Sequence, residues 1–136
     1  MATKRYYSAL AQDTTVVGNV SNSTTTMVVG ATVGYPTSFP YVLAVDYNAS
    51  SEELVLVTAV SGTTITIIRG YNGTTAVAHF TGAVVRHVII AQDLTDTQDH
   101  YAATTSVHGI ADTSVLATQT SATDVSNVAS FLNMGA

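Results

Sequence analysis

The chain has 136 residues, a formal net charge of −5, no cysteine and only 10% charged residues. The length fits one domain with an arm at either end, and the lack of cysteine excludes disulfides and thiolate chemistry. With four basic residues, the chain has no basic face that would bind nucleic acid. An ordinary domain carries about 25% charged residues, so this polar but mostly uncharged chain suits a protein that buries much of itself against neighbours.

Residues 1–13 are predicted to form an N-terminal arm, with neither a signal peptide nor a membrane-spanning segment. Residues 14–91 are predicted to form a β-domain, because short segments rich in β-branched residues are separated by Gly and Asn. The strongest hairpin signal is the Ser61–Gly62 loop between two such segments. Ile65 and Ile67 alternate with threonines in the second segment, so both are expected on one face. The predicted strands are 14–20, 24–30, 41–47, 52–60, 63–70 and 81–91.

The stretch GYPTSFP, residues 34–40, interrupts the strand pattern. Its two prolines and one glycine exclude a central strand. We expect Tyr35, Phe39 and Tyr41 to cover one end of the domain. The predicted fold class is all-β: a small antiparallel β-barrel or sandwich with one short helical turn, plus extended N- and C-terminal arms with little regular structure.

Residues 92–136 are predicted to be a C-terminal arm, with a short helix near 92–103 that Asp93 or Thr95 would cap. Beyond this helix, single apolar residues are spaced through a Ser- and Thr-rich background. Such a segment buries too little surface to fold alone. It is expected to dock on the domain, wrap a neighbouring chain or start a multi-chain stalk.

The stretch RGYNGTTAVAHFTGAVVRH, residues 69–87, has the composition of an active site but not the spacing of one. Gly70, Gly73 and Gly82 match neither of the common glycine-rich phosphate motifs, and no lysine follows them. The stretch leads into a strand and not into a long helix whose N-terminus would hold an anion. We therefore predict no phosphate or nucleotide site.

A structural interpretation accounts for the unusual residues of this stretch. Asn72–Gly73 supplies the positive φ of a turn, and Thr74 or Thr75 caps a helical turn at AVAHF. Gly82 ends that turn in the left-handed conformation, and His79 lies in its last residues, where positive charge is favoured. The predicted structural motif comprises Arg69, Gly70, Asn72, Gly73, Thr74, His79 and Gly82.

The acidic residues do not indicate an enzyme. Glu52 and Glu53 are adjacent on a strand and point to opposite faces, so they do not form a glycosidase pair. Arg69 and Arg86 are expected on adjacent strands, where they would reach Glu52, Glu53 or Asp46. No serine lies in a nucleophile-elbow motif. The sequence predicts a protein without catalytic activity.

The histidines and the remaining acids do not predict a metal or another cofactor. No H-x-x-x-H zinc pattern occurs. His79 and His87 flank one strand, so a metal shared across an oligomer axis is the alternative. Asp93, Asp96 and Asp99 share one face of the predicted helix, and we interpret them as a solvated acidic face in preference to a Ca²⁺ site.

Two stretches resemble proteins of tailed-bacteriophage particles. Residues 38–87 resemble a module with an SFP-led strand, an E-E strand, a V-x-G hairpin and the pattern R-G-x-x-G-T-x-A-x-A-H-x-x-G-x-x-V. Residues 101–118, YAATTSVHGIADTSVLAT, are similar to a segment of phage tail-fibre and minor tail proteins. The two stretches cover about half of the chain. The positions that match the first pattern are Ser38, Phe39, Pro40, Glu52, Glu53, Val60, Gly62, Arg69, Gly70, Gly73, Thr74, Ala76, Ala78, His79, Gly82 and Val85.

The resemblance implies a non-enzymatic virion component that is assembled in the host cytoplasm and is usually oligomeric, often a homotrimer. Tail-fibre members usually continue into long repeats or receptor-binding domains, whereas this sequence ends at Ala136. We therefore expect a capsid decoration protein that binds the major capsid protein, and no nucleic acid or membrane. A tail, baseplate or fibre-base adaptor that binds tail components is the alternative. The expected partner-binding residues of the C-terminal arm are His108, Gly109, Ile110, Val115 and Leu116.

A third hypothesis is a host-surface or carbohydrate-binding module. Tyr35, Tyr41, Tyr47 and Tyr71 would provide aromatic contacts for a sugar. The chain has no tryptophan, and tyrosines at strand ends are usually part of the edge packing.

Overall fold

The structure is a computed structural model that describes residues 4–103, 105–107 and 110–112. The chain divides into two compact units after Leu94. Within the described part of the chain, no helix has the length and apolar character needed to cross a membrane.

Six antiparallel strands of the first unit close into a barrel, which confirms the all-β prediction and selects the barrel over the sandwich. The strands are β1 (Thr14–Val17), β2 (Thr26–Val29), β3 (Tyr41–Val45), β4 (Glu53–Ser61), β5 (Thr64–Ile68) and β6 (Val84–His87). Around the barrel they follow the order β1-β2-β5-β4-β3-β6, and β6 pairs with β1 to complete the circle. A closed barrel leaves no strand edge unpaired along these ladders.

The interior is filled by the alternate residues of each strand. In β5, Ile65 and Ile67 are buried while Thr64, Thr66 and Ile68 are exposed, as the alternation predicts. In β3 every residue is buried, because its outer face is also covered. A small second cluster on that outer face contains Val42, Leu56 and Ile90, with Leu54, Tyr71 and Val88 packed against it.

The hairpin between β4 and β5 is present, but its loop lies one residue later than predicted. Ser61 pairs with Thr64, so Gly62 and Thr63 form the loop. The register shifts between Val57 and Ala59, where a β-bulge adds one residue to β4. The buried segment of β4 before the bulge and the exposed segment after it therefore belong to one strand.

Residues 34–40 form no strand, as their two prolines and glycine predict, and the Phe39–Pro40 peptide is cis. The expected aromatic cover at this end is only partly correct. Tyr41 is fully buried in the barrel core and Tyr35 is 7% exposed, whereas Phe39 is 38% exposed and stacks on Tyr41. Two of the three rings thus belong to the core and only Phe39 covers it.

In its described part, residues 4–13, the N-terminal arm has no helix or strand before Thr14, and it is bound to the barrel. The Tyr6 amide donates to the carbonyl of Pro40 at 2.9 Å, and the Gln12 amide donates to that of Val33 at 3.0 Å. Arg5 is 9% exposed and its Nε contacts Asp93 Oδ1 at 2.5 Å. The described part of this arm therefore packs against its own domain.

The predicted helix is present as α1 (Ala91–Ala102). Asp93 caps it, although from within the first turn: its carboxylate accepts a hydrogen bond from the Ile90 amide at 2.9 Å. This is the reciprocal half of a capping box, with Ile90 at the N-cap position.

The second unit contains a two-stranded sheet that the sequence did not predict. β7 (Thr105–Val107) pairs antiparallel with β8 (Ile110–Asp112), and Val107 lies opposite Ile110. Of the predicted partner-binding residues, Ile110 lies in β8. His108, Gly109, Val115 and Leu116 lie outside the described residues.

Candidate functional site

The strongest cluster of charged side chains is built around Glu53, at the start of β4. Glu53 is fully buried because it shares the inward face of the strand with Val55 and Val57. Arg69, just after β5, reaches it with two parallel hydrogen bonds, from Nε to Oε1 at 2.8 Å and from Nη2 to Oε2 at 2.7 Å. This bidentate geometry is the strongest arrangement of a guanidinium on a carboxylate.

Further donors surround the Glu53 carboxylate. The backbone amide of Gly70 donates to Oε1 at 2.8 Å, and that of Val77 donates to Oε2 at 3.1 Å. His79 Nε2 lies 2.9 Å from Oε2. Although burial by itself raises the pKa of Glu53, the hydrogen bonds from Arg69, Gly70, His79 and Val77 lower it to about 2. The carboxylate is therefore ionised at neutral pH.

Arg69 also binds three backbone carbonyls. Its Nη1 donates to Ser21 at 2.5 Å and to Thr24 at 3.1 Å, and its Nη2 donates to Val77 at 2.5 Å. With the two bonds to Glu53, all five N–H groups of the guanidinium have acceptors. Arg69 thus ties β4 and the segment around Val77 to the turn between β1 and β2.

His79 is only 1% exposed and lies between two carboxylates. Its Nδ1 is 2.7 Å from Asp46 Oδ2, and its Nε2 contacts Glu53. The His79 backbone pairs with Val20 in both directions, at 2.8 and 2.9 Å. The predicted helical turn at AVAHF is wrong, because this extended pairing holds residues 74–79 out of a helix.

The remaining motif residues shape the backbone around this cluster. A short 3-10 turn spans Tyr71–Gly73, and the prediction of positive φ at Asn72 and Gly73 is confirmed, with values of 51° and 84°. Thr74 caps no AVAHF helix; its Oγ1 donates to the Tyr71 carbonyl at 2.9 Å and accepts from the Leu54 amide at 3.0 Å. Gly82 is left-handed as predicted, but in a turn that follows extended chain.

The expected ion pairs are half correct. Arg69 reaches Glu53 as predicted, whereas Glu52 is exposed and accepts from the Asn48 amide at 2.6 Å. The expectation that Arg69 and Arg86 lie on adjacent strands is wrong, because β6 lies between β3 and β1, away from β5, and Arg86 contacts none of the predicted acids. It pairs instead with Asp13, to which its Nε and Nη2 both donate.

The geometry does not favour a metal site. Among the described residues, no group of three or more His, Asp and Glu side chains could hold a metal ion. His79 cannot meet a symmetry copy, because it is buried and both ring nitrogens already contact carboxylates. His87 does not fit such a role either, since its ring nitrogens lie next to the Val42 carbonyl and the Ser8 amide.

The tyrosines of the carbohydrate hypothesis lie in three different environments. Tyr35 and Tyr41 meet edge to face at one end of the barrel, with ring centroids 6.0 Å apart. Tyr47 packs under the guanidinium of Arg86, and Tyr71 accepts a hydrogen bond from Arg5. A cleft of about 340 Å³ opens beside Tyr35 and Tyr41, but both hydroxyl groups are enclosed and have no partner among the described residues.

Unlike the charged cluster around Glu53, the outside of the barrel across β6, β1, β2 and β5 carries an uncharged surface. Val17 pairs with Val28, and Val28 pairs with Thr64, so these side chains form a continuous row. Val17, Val28, Val84 and Ile68 are between 39% and 52% exposed. We call this surface the uncharged face; it consists of Thr15, Val17, Thr26, Val28, Thr64, Thr66, Ile68 and Val84.

Sequence reasoning named Glu53, Arg69 and Asp46 as ion-pair candidates but missed the contact of His79 with Glu53. A signal for it was present. Glu53 precedes Leu54, Val55, Leu56 and Val57, and strand alternation places it on the same face as the two valines. A carboxylate on a buried face needs a cation and several hydrogen-bond donors. These groups lie in the glycine-rich stretch, residues 69–87.

No protein-family model matches this chain, and no curated protein sequence matches it significantly.

Proposed function

We propose that this chain is a non-enzymatic structural protein of a tailed-bacteriophage particle, most specifically a capsid decoration protein that stabilises the head. The observation that carries the proposal is the structural role of the glycine-rich stretch, residues 69–87. Its Arg69 and His79 resemble reactive groups, but their side chains are only 8% and 1% exposed and both contact Glu53. These contacts support a structural role for the stretch in place of a catalytic one. The sequence pattern that contains both residues resembles that of phage virion proteins.

The proposed partners are further copies of this chain and the major capsid protein. The uncharged face supports self-association, because copies of a chain with a net charge of −5 repel each other elsewhere. Its β-branched side chains lose little conformational freedom when a partner covers them. The closed barrel offers no strand edge for a partner to extend, so we propose that copies meet face to face as a homotrimer.

Light scattering on the full-length protein tests the oligomer. We expect a trimer for the wild type and a monomer for Val28→Glu, because the new carboxylate lies in the centre of the uncharged face. Val33→Glu is the matched control, since Val33 is 55% exposed and lies outside that face. A monomeric wild type, or an unchanged trimer in Val28→Glu, contradicts the proposed role of this face.

The second proposed location is the tail, as a baseplate or fibre-base adaptor. The similarity of residues 101–118 to tail-fibre segments favours it. Gold-labelled protein in negative-stain images of intact particles distinguishes the two locations: label over the head supports decoration, and label at the tail supports the adaptor. An absence of label from both would contradict the virion assignment.

A further inference from the structure

The N-terminal arm crosses the end of the barrel over His87, the last residue of β6. The Ser8 amide points at His87 Nε2 at 3.3 Å, and His87 Nδ1 lies 2.9 Å from the carbonyl of Val42. The rings of Tyr7 and Tyr41 contact the same imidazole, with centroids 5.8 and 5.7 Å away. One histidine therefore joins the arm to strand β3.

These partners define which ring nitrogen carries the hydrogen. The Val42 carbonyl is only an acceptor, so Nδ1 must donate. The Ser8 amide is only a donor, so Nε2 must accept through its lone pair. The seated arm therefore requires neutral His87 in the Nδ1–H form. A second proton on Nε2 would point at the Ser8 N–H and replace a hydrogen bond with a repulsive contact.

We propose that His87 is a pH-sensitive latch for the N-terminal arm: the neutral imidazole holds Ser8 in place, and protonation releases it. Histidine is the side chain that ordinarily gains a proton between pH 8 and pH 5. Seating of the arm and protonation of Nε2 exclude each other, so the arm is held at neutral pH and loosened in mild acid. This device does not depend on the virion assignment.

The other groups around the latch keep their charge over this range. Tyr7 on the arm is neutral, because burial and its hydrogen bond with Asp93 raise its pKa to about 12. Tyr41 on β3 is also neutral, since burial raises its pKa to about 12. Burial raises the pKa of Asp93, but hydrogen bonds from Tyr7, the Ile90 amide and Arg5 outweigh it and lower that pKa.

The neighbouring cations are also accounted for. Arg5 contacts Asp93 and Tyr71, and Arg86 precedes His87 on β6 and pairs with Asp13. Guanidinium groups stay charged throughout the range in which histidine titrates. None of these groups therefore accounts for a change at Ser8 between pH 7.5 and pH 5.

Nuclear magnetic resonance of the ¹⁵N-labelled full-length protein tests the proposal. At pH 7.5, long-range ¹H–¹⁵N correlations should show His87 as the Nδ1–H tautomer. As His87 gains its second proton, the hydrogen-exchange protection of the Ser8 amide should fall about tenfold relative to that of Val55 in the core, the scale of one lost hydrogen bond. An Nε2–H tautomer at pH 7.5 would overturn the proposal.

Variants separate the latch from general acid effects. The amide of His87→Gln presents an N–H and a carbonyl without titrating, so its Ser8 protection should be equal at pH 7.5 and pH 5. His100→Gln, an exposed position on α1, is the matched control and should behave like the wild type. If His87→Gln loses Ser8 protection in acid as the wild type does, His87 is not the latch.

Discussion

Glu53 determines what the glycine-rich stretch does. A buried carboxylate without partners would cost several kcal/mol, and it persists here because five donors surround it. Two of them are backbone amides, of Gly70 and Val77, so the stretch must follow one path for the charge to be compensated. The glycine-rich stretch thus has a conformational role: Arg69 and His79 contact the Glu53 carboxylate, and the backbone of the stretch folds around it.

Glu53→Gln should destabilise the protein by about 3 kcal/mol at pH 7, because Arg69 would remain buried without its counter-charge. The pKa of Glu53 is lowered from 4.5 to about 2 on folding. Its stabilising contribution is therefore complete above pH 4.5 and is lost as the pH falls towards 2. Urea unfolding at a series of pH values should show the difference between wild type and variant shrinking over this window.

Glu52→Gln is the matched control for this experiment. The neighbouring carboxylate is exposed and accepts one backbone hydrogen bond, so its substitution should cost less than about 1 kcal/mol. Equal urea midpoints for the Glu52 and Glu53 variants at pH 7 would show that the buried ion pair does not stabilise the fold.

At the scale of elements, the N-terminal arm and the loop before β3 are packed backbone to backbone. Gly34 has a φ of +73°, and a Cβ at this position would lie 1.9 Å from the Leu10 carbonyl oxygen. The adjacent Val33 carbonyl accepts from Gln12. The arm therefore needs a residue without a side chain at position 34 in order to lie where it does.

Gly34→Ala should push the arm off this loop and destabilise the protein by more than about 2 kcal/mol, since a left-handed alanine alone costs about 1–2 kcal/mol. Gly18→Ala isolates that conformational cost, because Gly18 has a similar φ of +79° and its added Cβ would meet no atom within 4 Å. Thermal unfolding and Gln12 amide protection measure the difference. Identical losses in both variants would mean that the arm contact contributes nothing.

Element prediction succeeded where the signal was local. The strand β5 and helix α1 follow from alternation and from capping chemistry. The AVAHF helix failed because the His79 backbone pairs with Val20, and no local pattern reports that distant partner. The pair β7 and β8 was missed because each strand has only three residues, too few for alternation to register.

At the scale of the whole molecule, the described chain forms two units that divide after Leu94. The first unit contains the barrel, the seated arm and the Arg5–Asp93 ion pair. Truncation after Leu94 therefore removes the second unit and leaves the contacts of the first unit in place.

A chain truncated after Leu94 should keep its cooperative unfolding but lose attachment to phage particles, because the proposed partner-binding arm is removed. Co-sedimentation with particles that lack the protein measures attachment, and circular dichroism measures folding. Truncation after Ala91 provides the comparison: it also removes Asp93, so Arg5 loses its carboxylate and stability should fall by about 2 kcal/mol. Normal attachment of the Leu94 truncation would contradict the role of the arm.

The sequence by itself determined the all-β class, the inward face of β5, the turn at Asn72–Gly73 and the start of α1, because alternation, left-handed φ and capping act over a few residues. Only the tertiary structure decided the closure of the barrel, the position of the N-terminal arm on it and the role of the glycine-rich stretch. Those features depend on pairs that are far apart in the chain: Arg5 lies 88 residues from Asp93 and His79 lies 26 residues from Glu53. The partners of a buried charge are the groups that the folded strands place next to it, and those positions exist only after the barrel has closed.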